Sequence, residues 1–335
     1  MKKYQCVLTA GGIESEAAVL VGEEGIEISA GKRTIYVDFS SVLDFRLINY
    51  HFHLYTKEGE TVLSKMGLDT EGFFENFWLA FDARTRRSLF LKSAAERESE
   101  GDYTYTEDGK TYNGKAKVSL FEDCLCLLPH NIGARRIPLC FADKPAINGY
   151  QLTVNLDTGE SYTVARLGHD TLPFFEKLEA FRNNSTARWN SAHAELEKNI
   201  IGRLGELAPR YEFIKQNCDR VFCGLFSPDN DAFWFAGIKN NKAAAELIIG
   251  ESAATYLYEF SVPDVRFEAD MRHAYEAVNA NREVIYADEQ TVAAKPLYQM
   301  AIDRSSHVRF LRGCSAGRII HNAAWQKNML EFLQN

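Results

Sequence analysis

The sequence has no long hydrophobic run and no surplus of positive charge. No stretch approaches the ~20 apolar residues that a membrane-spanning helix requires. The N-terminal apolar segment, which ends before Gly11, is shorter than the apolar region of a secretory signal peptide. Lys and Arg number 38 against 46 Asp and Glu, so the formal net charge is -8. We therefore expect a cytoplasmic protein that binds no nucleic acid, and the acidic balance also disfavours a membrane partner.

Motifs of the common enzyme classes are missing too. The sequence contains no P-loop, no Rossmann glycine fingerprint, no G-x-S-x-G elbow and no HExxH motif. His51 and His53 would share one face of a strand, but no further ligand lies near them in the sequence. We therefore predict no metal and no cofactor, and we favour a non-enzymatic protein.

The seven cysteines are scattered and odd in number, which argues against a disulfide scaffold. Cys124 and Cys126 are spaced to point to the same face of a strand. Buried thiols are one interpretation, because free cysteine behaves as a small hydrophobic residue. A zinc site is the other interpretation, but no second close cysteine pair accompanies this one.

An internal repeat of about 100 residues organises the first half of the chain. Segments 50–64 and 150–164 each alternate apolar and polar residues, turn at Gly-Glu and then alternate again. This pattern is typical of a β-hairpin. The match continues beyond the hairpins, so we interpret the two segments as parts of a duplicated unit.

Each hairpin is followed by a pattern that predicts a helix with an aromatic face. The helices are expected to begin at Asp69 or Thr70 and at Asp170 or Thr171, because these residue types cap helices. Each aromatic face would close one end of a sheet. The residues on these faces are Phe73, Phe74, Phe77, Trp78 and Phe81 in the first copy and Phe174, Phe175, Leu178 and Phe181 in the second.

Short strand patterns precede each hairpin and, with the hairpin, give about seven strands in the first copy. Short, evenly spaced strands favour an antiparallel sandwich or barrel. The expected strands are 4–9, 17–21, 26–29, 34–39 and 42–48 in the first copy and 103–106, 115–121, 124–128, 135–140 and 142–147 in the second.

Seven antiparallel strands followed by one helix resemble the pleckstrin-homology-like superfold, including its bacterial PH-like and GRAM-like variants. The resemblance covers residues 1–90 and 100–185 and includes Ile137-Pro138, Tyr150, Gly159-Glu160, Gly168 and Phe174-Phe175. It implies a rigid sheet scaffold that docks protein partners. Members that bind phosphoinositides carry Lys and Arg in the first loop, whereas loop 10–16 is acidic and loop 107–110 is mixed in charge.

The remaining third of the chain predicts an α+β domain. We place the first PH-like domain at 1–92, the second at 100–184 and the C-terminal domain at 186–335, after a polar stretch at 182–185. The C-terminal domain would combine a small antiparallel sheet with helices on one side. Its expected strands are 221–226, 232–238, 245–249 and 255–260, and its expected helices are 189–207, 267–279, 297–303 and 305–333, the last with a break at Gly313 or Gly317.

Two groups of residues in this domain are candidates for ligand binding. Arg282 and Glu283 follow an expected helix end, where they form either a surface pair or the corner of a ligand site. The second group lies in a segment without acidic residues, between positions 304 and 321.

This second group is basic and consists of Arg304, His307, Arg309, Arg312, Arg318 and His321, of which the last four are the candidate ligand-binding residues. On a helix, Arg309 and Arg312 would be neighbours, and so would Arg318 and His321. Arginine forks suit carboxylates, so the group could bind an anion or an acidic peptide. A solvated helix face is the alternative.

These observations favour a non-enzymatic interaction or scaffold protein that binds protein or peptide partners through its PH-like modules. Addition of a partner strand to an exposed sheet edge is one way to do so. The alternative is a site in the C-terminal domain that binds a small molecule or an anionic ligand, and such a site could belong to an enzyme. A peripheral membrane adaptor is the second alternative, and the sequence does not indicate an oligomeric state.

Overall fold

The computed structural model describes residues 2–91, 93–107 and 109–334 and has a mixed α+β fold. Two curled, seven-stranded antiparallel sheets are each followed by a helix, and a five-stranded antiparallel sheet with further helices completes the chain. The fold class predicted from the sequence is therefore confirmed. No helix within the described ranges is long and apolar enough to cross a membrane.

The first sheet has the strand order β4-β3-β2-β1-β7-β6-β5. Its turns are tight, and Gly11 and Gly12 both adopt positive φ angles between β1 and β2. The elements are β1 (Lys3–Ala10), β2 (Ile13–Val21), β3 (Gly25–Ala30), β4 (Arg33–Asp38), β5 (Val42–Ile48), β6 (His51–Thr56), β7 (Gly59–Ser64) and α1 (Thr70–Ser88).

The second sheet repeats this topology, with the order β11-β10-β9-β8-β14-β13-β12. The seven strands and the helix come in the same sequence as in the first copy, which supports the duplication. The elements are β8 (Arg97–Glu107), β9 (Lys110–Leu120), β10 (Cys124–Pro129), β11 (Arg135–Pro138), β12 (Ala146–Asn148), β13 (Gln151–Asn155), β14 (Ser161–Ala165) and α2 (Thr171–Leu204).

Equivalent side chains begin the two helices. Thr70 donates from Oγ1 to the Gly67 carbonyl at 2.9 Å, and Thr171 donates to the Gly168 carbonyl at 2.8 Å. Asp69 and Asp170 precede the helices, but neither side chain accepts a capping hydrogen bond. The side-chain caps considered from the sequence, Asp69 or Thr70 and Asp170 or Thr171, therefore do not form. The threonine hydroxyls instead tie each first turn to the preceding glycine turn.

The aromatic face of α1 fills the first sheet as the sequence pattern predicts. Phe73, Phe77 and Phe81 are buried. Phe77 packs against Phe39 and Phe45, Phe81 packs against Phe45, and Phe73 packs against Phe52 of β6. In the second copy, Phe174 and Leu178 occupy the corresponding core. Burying an aromatic or leucine side chain contributes about 1.5–3 kcal/mol, so these faces hold the helices in place.

Helix α2 does not end near Ser185, where the sequence suggested a boundary. It continues to Leu204, with non-helical backbone angles at Asn199. Asn and Ser are only weakly unfavourable in a helix, and Asn183 and Asn184 are exposed on its outer side. The polar stretch therefore marks a solvated helix face, and the same helix leads into the C-terminal domain.

The C-terminal domain contains a sheet of order β15-β16-β17-β18-β19. The helix expected at 305–333 ends at Gly313, one of the two breaks considered from the sequence. The segment that follows is not helical as expected, because it forms a strand that pairs with β18, and Gly317 adopts a φ angle of 128°. The elements are α3 (Ala208–Asn217), β15 (Arg220–Leu225), β16 (Phe233–Lys239), β17 (Lys242–Ile249), β18 (Ser252–Glu259), α4 (Asp264–Val278), α5 (Glu283–Tyr286), α6 (Glu289–Ala293), α7 (Pro296–Asp303), α8 (Ser306–Gly313), β19 (Ser315–Ile319) and α9 (Trp325–Gln334).

The three parts pack together. Backbone hydrogen bonds link the two curled sheets, because Phe45 donates to the His130 carbonyl at 3.2 Å and Ile132 donates to the Leu43 carbonyl at 2.9 Å. Met300 of α7 is fully buried in the core of the first sheet. The C-terminal domain therefore reaches both copies of the duplicated unit.

Candidate functional site

The structure distributes the six candidate residues over four environments. Arg282, Glu283 and Arg318 line one cleft of about 440 Å³ beside Tyr256 and Lys295. Arg309, Arg312 and His321 lie elsewhere and make structural contacts. The cleft is therefore the place where the sequence-based candidates converge.

Arg282 is the best-placed cation in this cleft. Its Nη2 donates to Ser252 Oγ at 2.9 Å, while its Nη1 is buried and has no hydrogen-bond partner among the described residues. Glu283 accepts from Lys295 Nζ at 2.6 Å, and this hydrogen bond and charge lower the pKa of Glu283. Arg318 is exposed on β19. The cleft thus offers two arginines for an anion, while its lysine is already paired.

Arg312 and Arg309 stabilise the fold instead. Arg312 donates from Nη1 to the Val284 carbonyl at 2.9 Å and so satisfies the end of α5. Arg309 donates from Nη2 to Glu107 Oε2 at 2.9 Å and connects α8 to the second sheet. Arg312 therefore stabilises a helix end, and Arg309 stabilises the contact between the C-terminal domain and the second sheet.

His321 belongs to a polar cluster beneath the C-terminal sheet. Its Nε2 lies 2.8 Å from Oε1 of Glu246, whose side chain is fully buried. Arg210 binds the same carboxylate at 2.9 Å, and Trp325 donates to Thr255 Oγ1 at 2.8 Å. The expected neighbour relation between Arg318 and His321 on a helix is wrong, because β19 holds Arg318 in a strand.

Cys124 and Cys126 do share a face of β10, with their Sγ atoms 3.9 Å apart. Both are buried among apolar residues near Leu128. Burial raises the pKa of the Cys124 thiol well above its usual value, so this thiol stays protonated. His53 binds Glu60 at 2.8 Å rather than a group of metal ligands.

A buried ionic junction joins the second sheet to the C-terminal domain. Arg136 of β11 binds Glu276 of α4 through two hydrogen bonds of 2.6 Å, and both side chains are about nine-tenths buried. Arg135 binds Glu107 at 2.7 Å within the same junction. Burial by itself would raise the pKa of Glu107, but its bonds to Arg135 and Arg309 outweigh burial and lower it.

Two histidines of the C-terminal domain, His273 and His307, also belong to this junction. His307 donates from Nδ1 to Asp270 at 2.7 Å, and His273 donates from Nε2 to Asp157 at 2.6 Å. Burial lowers the pKa of His273, and the neighbouring His307 lowers it further. The cavity that remains here, beside Arg304, is only about 20 Å³ and has room for about one water molecule. The junction is therefore an internal interface rather than a ligand site.

In contrast to this buried junction, the edge of the first sheet at β4 is exposed to solvent. Arg33, Thr34, Ile35 and Tyr36 are all exposed, with 40% of Ile35 and 59% of Tyr36 accessible to solvent. β4 is the terminal strand of its sheet and pairs with β3 alone in the described sheet topology. Its backbone groups on the outer side are therefore available to another strand.

The hydrogen-bond pattern identifies which groups face outward. Phe39 donates to the Glu24 carbonyl at 2.9 Å, which fixes the alternation of the antiparallel ladder. Counting back along the register, Val37 and Ile35 bond to β3, whereas Tyr36 and Thr34 turn their N–H and C=O groups outward. Thr34 and Tyr36 therefore offer the free ladder positions.

The corresponding edge of the second sheet is covered. Leu139 donates to the Asp123 carbonyl at 2.9 Å, in the same place as Phe39 in the first copy, so Arg136 and Pro138 face outward. Pro138 has no N–H group to offer, and Arg136 is bound to Glu276 of α4. The equivalent edge strands β4 and β11 therefore differ, because β4 is exposed and β11 is buried.

Natural sheets protect free edges with charges, prolines, bulges or a covering element. The middle of β4 reads Thr-Ile-Tyr-Val, which contains none of the protective residues. The sequence predicts a strand here but does not indicate that it is an edge, because the strand order depends on the pairing of the whole sheet. The exposed β4 edge is therefore a candidate site that only the structure reveals.

No protein-family model matches the sequence, and no curated protein matches it at a significant level.

Proposed function

We propose that this protein is a non-enzymatic interaction protein whose first module binds an extended peptide segment of a partner protein at β4. The observation that carries the proposal is the bare β4 edge beside its covered counterpart at β11. Strand order and closing helix in both copies support the resemblance to PH-like modules. A strand-binding role follows from the edge itself, not from the resemblance.

The chemistry of the edge indicates what kind of peptide fits. An added strand would form ladder hydrogen bonds with the outward N–H and C=O groups of Thr34 and Tyr36. Tyr36 projects from the strand and would pack against a β-branched or aromatic side chain of the peptide. Lys32 and Arg33 lie at one end of β4, where they favour an acidic residue in the peptide.

Selection of peptides from a displayed random library on the full-length protein tests this proposal. Selected peptides are expected to lose affinity by at least about tenfold in a Tyr36→Pro variant, because proline removes one outward N–H and blocks the added strand. A Tyr36→Ala variant retains the backbone groups and should weaken binding less. The control is Ala146→Pro on β12, an exposed edge strand of the second sheet.

Three results of the binding experiment would contradict the proposal. The library yields no peptide that binds the protein, the peptides bind Tyr36→Pro as tightly as the unmodified protein, or Ala146→Pro weakens binding as much as Tyr36→Pro. Circular dichroism of each variant establishes that its fold is intact. If the unmodified protein instead self-associates and Tyr36→Pro makes it monomeric, a second copy rather than a partner occupies the edge, and the proposal is wrong.

We propose a second candidate function, which is the binding of a small anion in the cleft beside Arg282. The unpaired, buried Nη1 of Arg282 and the exposed Arg318 favour it. Titration calorimetry with succinate and with inorganic phosphate distinguishes a carboxylate from a phosphate ligand. Arg282→Gln and Arg318→Gln should each abolish the heat of binding, whereas Arg46→Gln, an exposed arginine on the first sheet, should leave it unchanged.

A further inference from the structure

Side chains from α2 and β15 form a group of three different metal-ligating types. His193 and Glu197 lie one turn apart on α2, and Cys223 lies on the neighbouring strand β15. Their ligand atoms are all within 4.8 Å of one another, and Nδ1 of His193 is 3.8 Å from Oε1 of Glu197. Ligand atoms around tetrahedral zinc lie about 3.3–3.8 Å apart, so small side-chain adjustments suffice to bind an ion.

We propose that His193, Glu197 and Cys223 bind a divalent cation of the zinc class, with a fourth coordination position open to water. Three observations support the proposal. They are the orientation of the His193 imidazole, the burial of the Cys223 thiol and the exposure of the Glu197 carboxylate.

The imidazole of His193 is held in the orientation that metal binding requires. Its Nε2 lies 2.9 Å from the backbone carbonyl of Cys223. A carbonyl can only accept a hydrogen bond, so Nε2 carries the proton and Nδ1 keeps its lone pair. Metal-binding histidines are commonly fixed in this way, with the second ring nitrogen donating to a backbone carbonyl. The strand that supplies the thiol therefore also orients the histidine.

The thiol of Cys223 is buried beside an acidic group. Cys223 is almost fully buried in the apolar cluster that α2 forms with the C-terminal sheet, so packing fixes the position of its sulfur. A metal-bound cysteine is a thiolate. Binding of a cation therefore forms a sulfur–metal bond, breaks the S–H bond and releases one proton to solvent for each ion bound.

The ligand types determine which cations fit. Thiolate and imidazole favour zinc and related soft or borderline ions, whereas calcium and magnesium require oxygen ligands. Glu197 is 60% exposed and lies at the solvent side of the group, while Cys223 is buried on the other side. A water molecule can therefore complete the coordination on the side of Glu197, as in zinc sites that keep one open position.

Titration of the full-length, reduced and metal-free protein with Co²⁺ tests the site. We expect one equivalent of Co²⁺ to produce a thiolate-to-cobalt charge-transfer band and Zn²⁺ to displace it, with one proton released per ion. Mg²⁺ and Ca²⁺ should have no effect on the band. Glu197→Gln, on an exposed position that does not disturb folding, should weaken binding by about tenfold or more, and Cys223→Ser should remove the band.

Two matched controls belong to this experiment. Glu195→Gln changes an exposed acid on the same helix, and Cys218→Ser changes a nearby cysteine outside the group. Both should retain the band and the affinity. The proposal is overturned if no stoichiometric binding occurs, if the band survives in Cys223→Ser, or if the controls lose binding together with Glu197→Gln.

Discussion

The two curled sheets have the same strand order, yet their equivalent edges have opposite surroundings. In the second sheet, β11 is buried against α4 through Arg136 and Glu276. In the first sheet, β4 is exposed over most of its length. Because the folds are equivalent, the difference comes from what packs on each edge, which is α4 at β11. A duplicated module can thus cover one edge with its own chain and leave the equivalent edge exposed.

The two copies also differ in how the C-terminal domain holds them. Met300 of α7 enters the core of the first sheet, where it is fully buried among aromatic residues. The second sheet is held by ion pairs and histidine–carboxylate hydrogen bonds instead. Apolar docking is insensitive to protonation, whereas the ionic junction depends on it. The two junctions should therefore respond differently to mutation and to pH.

The largest effect is expected at the position where the copies differ most. Arg136→Ala leaves the buried carboxylate of Glu276 without its partner and should lower the free energy of unfolding by about 3–5 kcal/mol. Tyr36→Ala, at the equivalent position of the first sheet, should change it by less than about 1 kcal/mol because the side chain is exposed. Urea unfolding of both variants measures the difference, and similar losses would show that the two edges are not distinct.

A smaller effect is expected from pH, and it should involve the second junction. Burial and the neighbouring His307 hold the pKa of His273 below its unfolded value of about 6.5, so the folded state binds this proton less readily than the unfolded state. The contribution of His273 to the free energy of unfolding is therefore fully present above pH ~6.5. It is lost as the pH falls below this value, by at most about 1.4 kcal/mol per pH unit.

His273→Gln should flatten this part of the profile. The measurement is the urea midpoint of both proteins between pH ~7.5 and ~5.5, the range in which an ordinary histidine titrates. A second loss is expected at lower pH, because Asp270 has a lowered pKa, which its hydrogen bond to His307 maintains against the raising effect of burial. An unchanged slope in His273→Gln would show that this histidine does not couple the junction to pH.

The smallest effect tests the symmetry of the copies. Thr70→Val and Thr171→Val each remove one hydrogen bond to a glycine carbonyl and should each cost about 1 kcal/mol. Asp69→Asn and Asp170→Asn should cost less than about 0.5 kcal/mol, since neither carboxylate caps its helix. Thermal unfolding of the four variants ranks their losses of stability. A larger loss in the aspartate variants than in the threonine variants would show that the carboxylates do cap the helices.

The sequence predicted those features that depend on local patterns. Hairpins, the aromatic faces led by Phe73 and Phe174, and the shared face of Cys124 and Cys126 all follow from periodicity within a few residues. The seven-strand topology of both copies also agrees with the expected element order.

Features that depend on distant contacts were not predictable in this way. The sequence places Arg309 in an anion site, but the residue lies on α8 and binds Glu107 of the second sheet, which is about 200 positions away in the sequence. The sequence predicts a helix at Arg318, because the small residues around Gly317 do not indicate that β19 pairs with β18. The β4 edge, too, emerges only when the strand order of the whole sheet is known.

The most direct test of the account is amide hydrogen exchange of the full-length protein with and without a library-selected peptide. Strand addition predicts slowed exchange at the outward amides of Thr34 and Tyr36, with no change at β11, whose edge α4 already covers. Unchanged exchange at these two amides, or protection confined to the cleft around Arg282, would contradict the proposal that β4 is the binding edge.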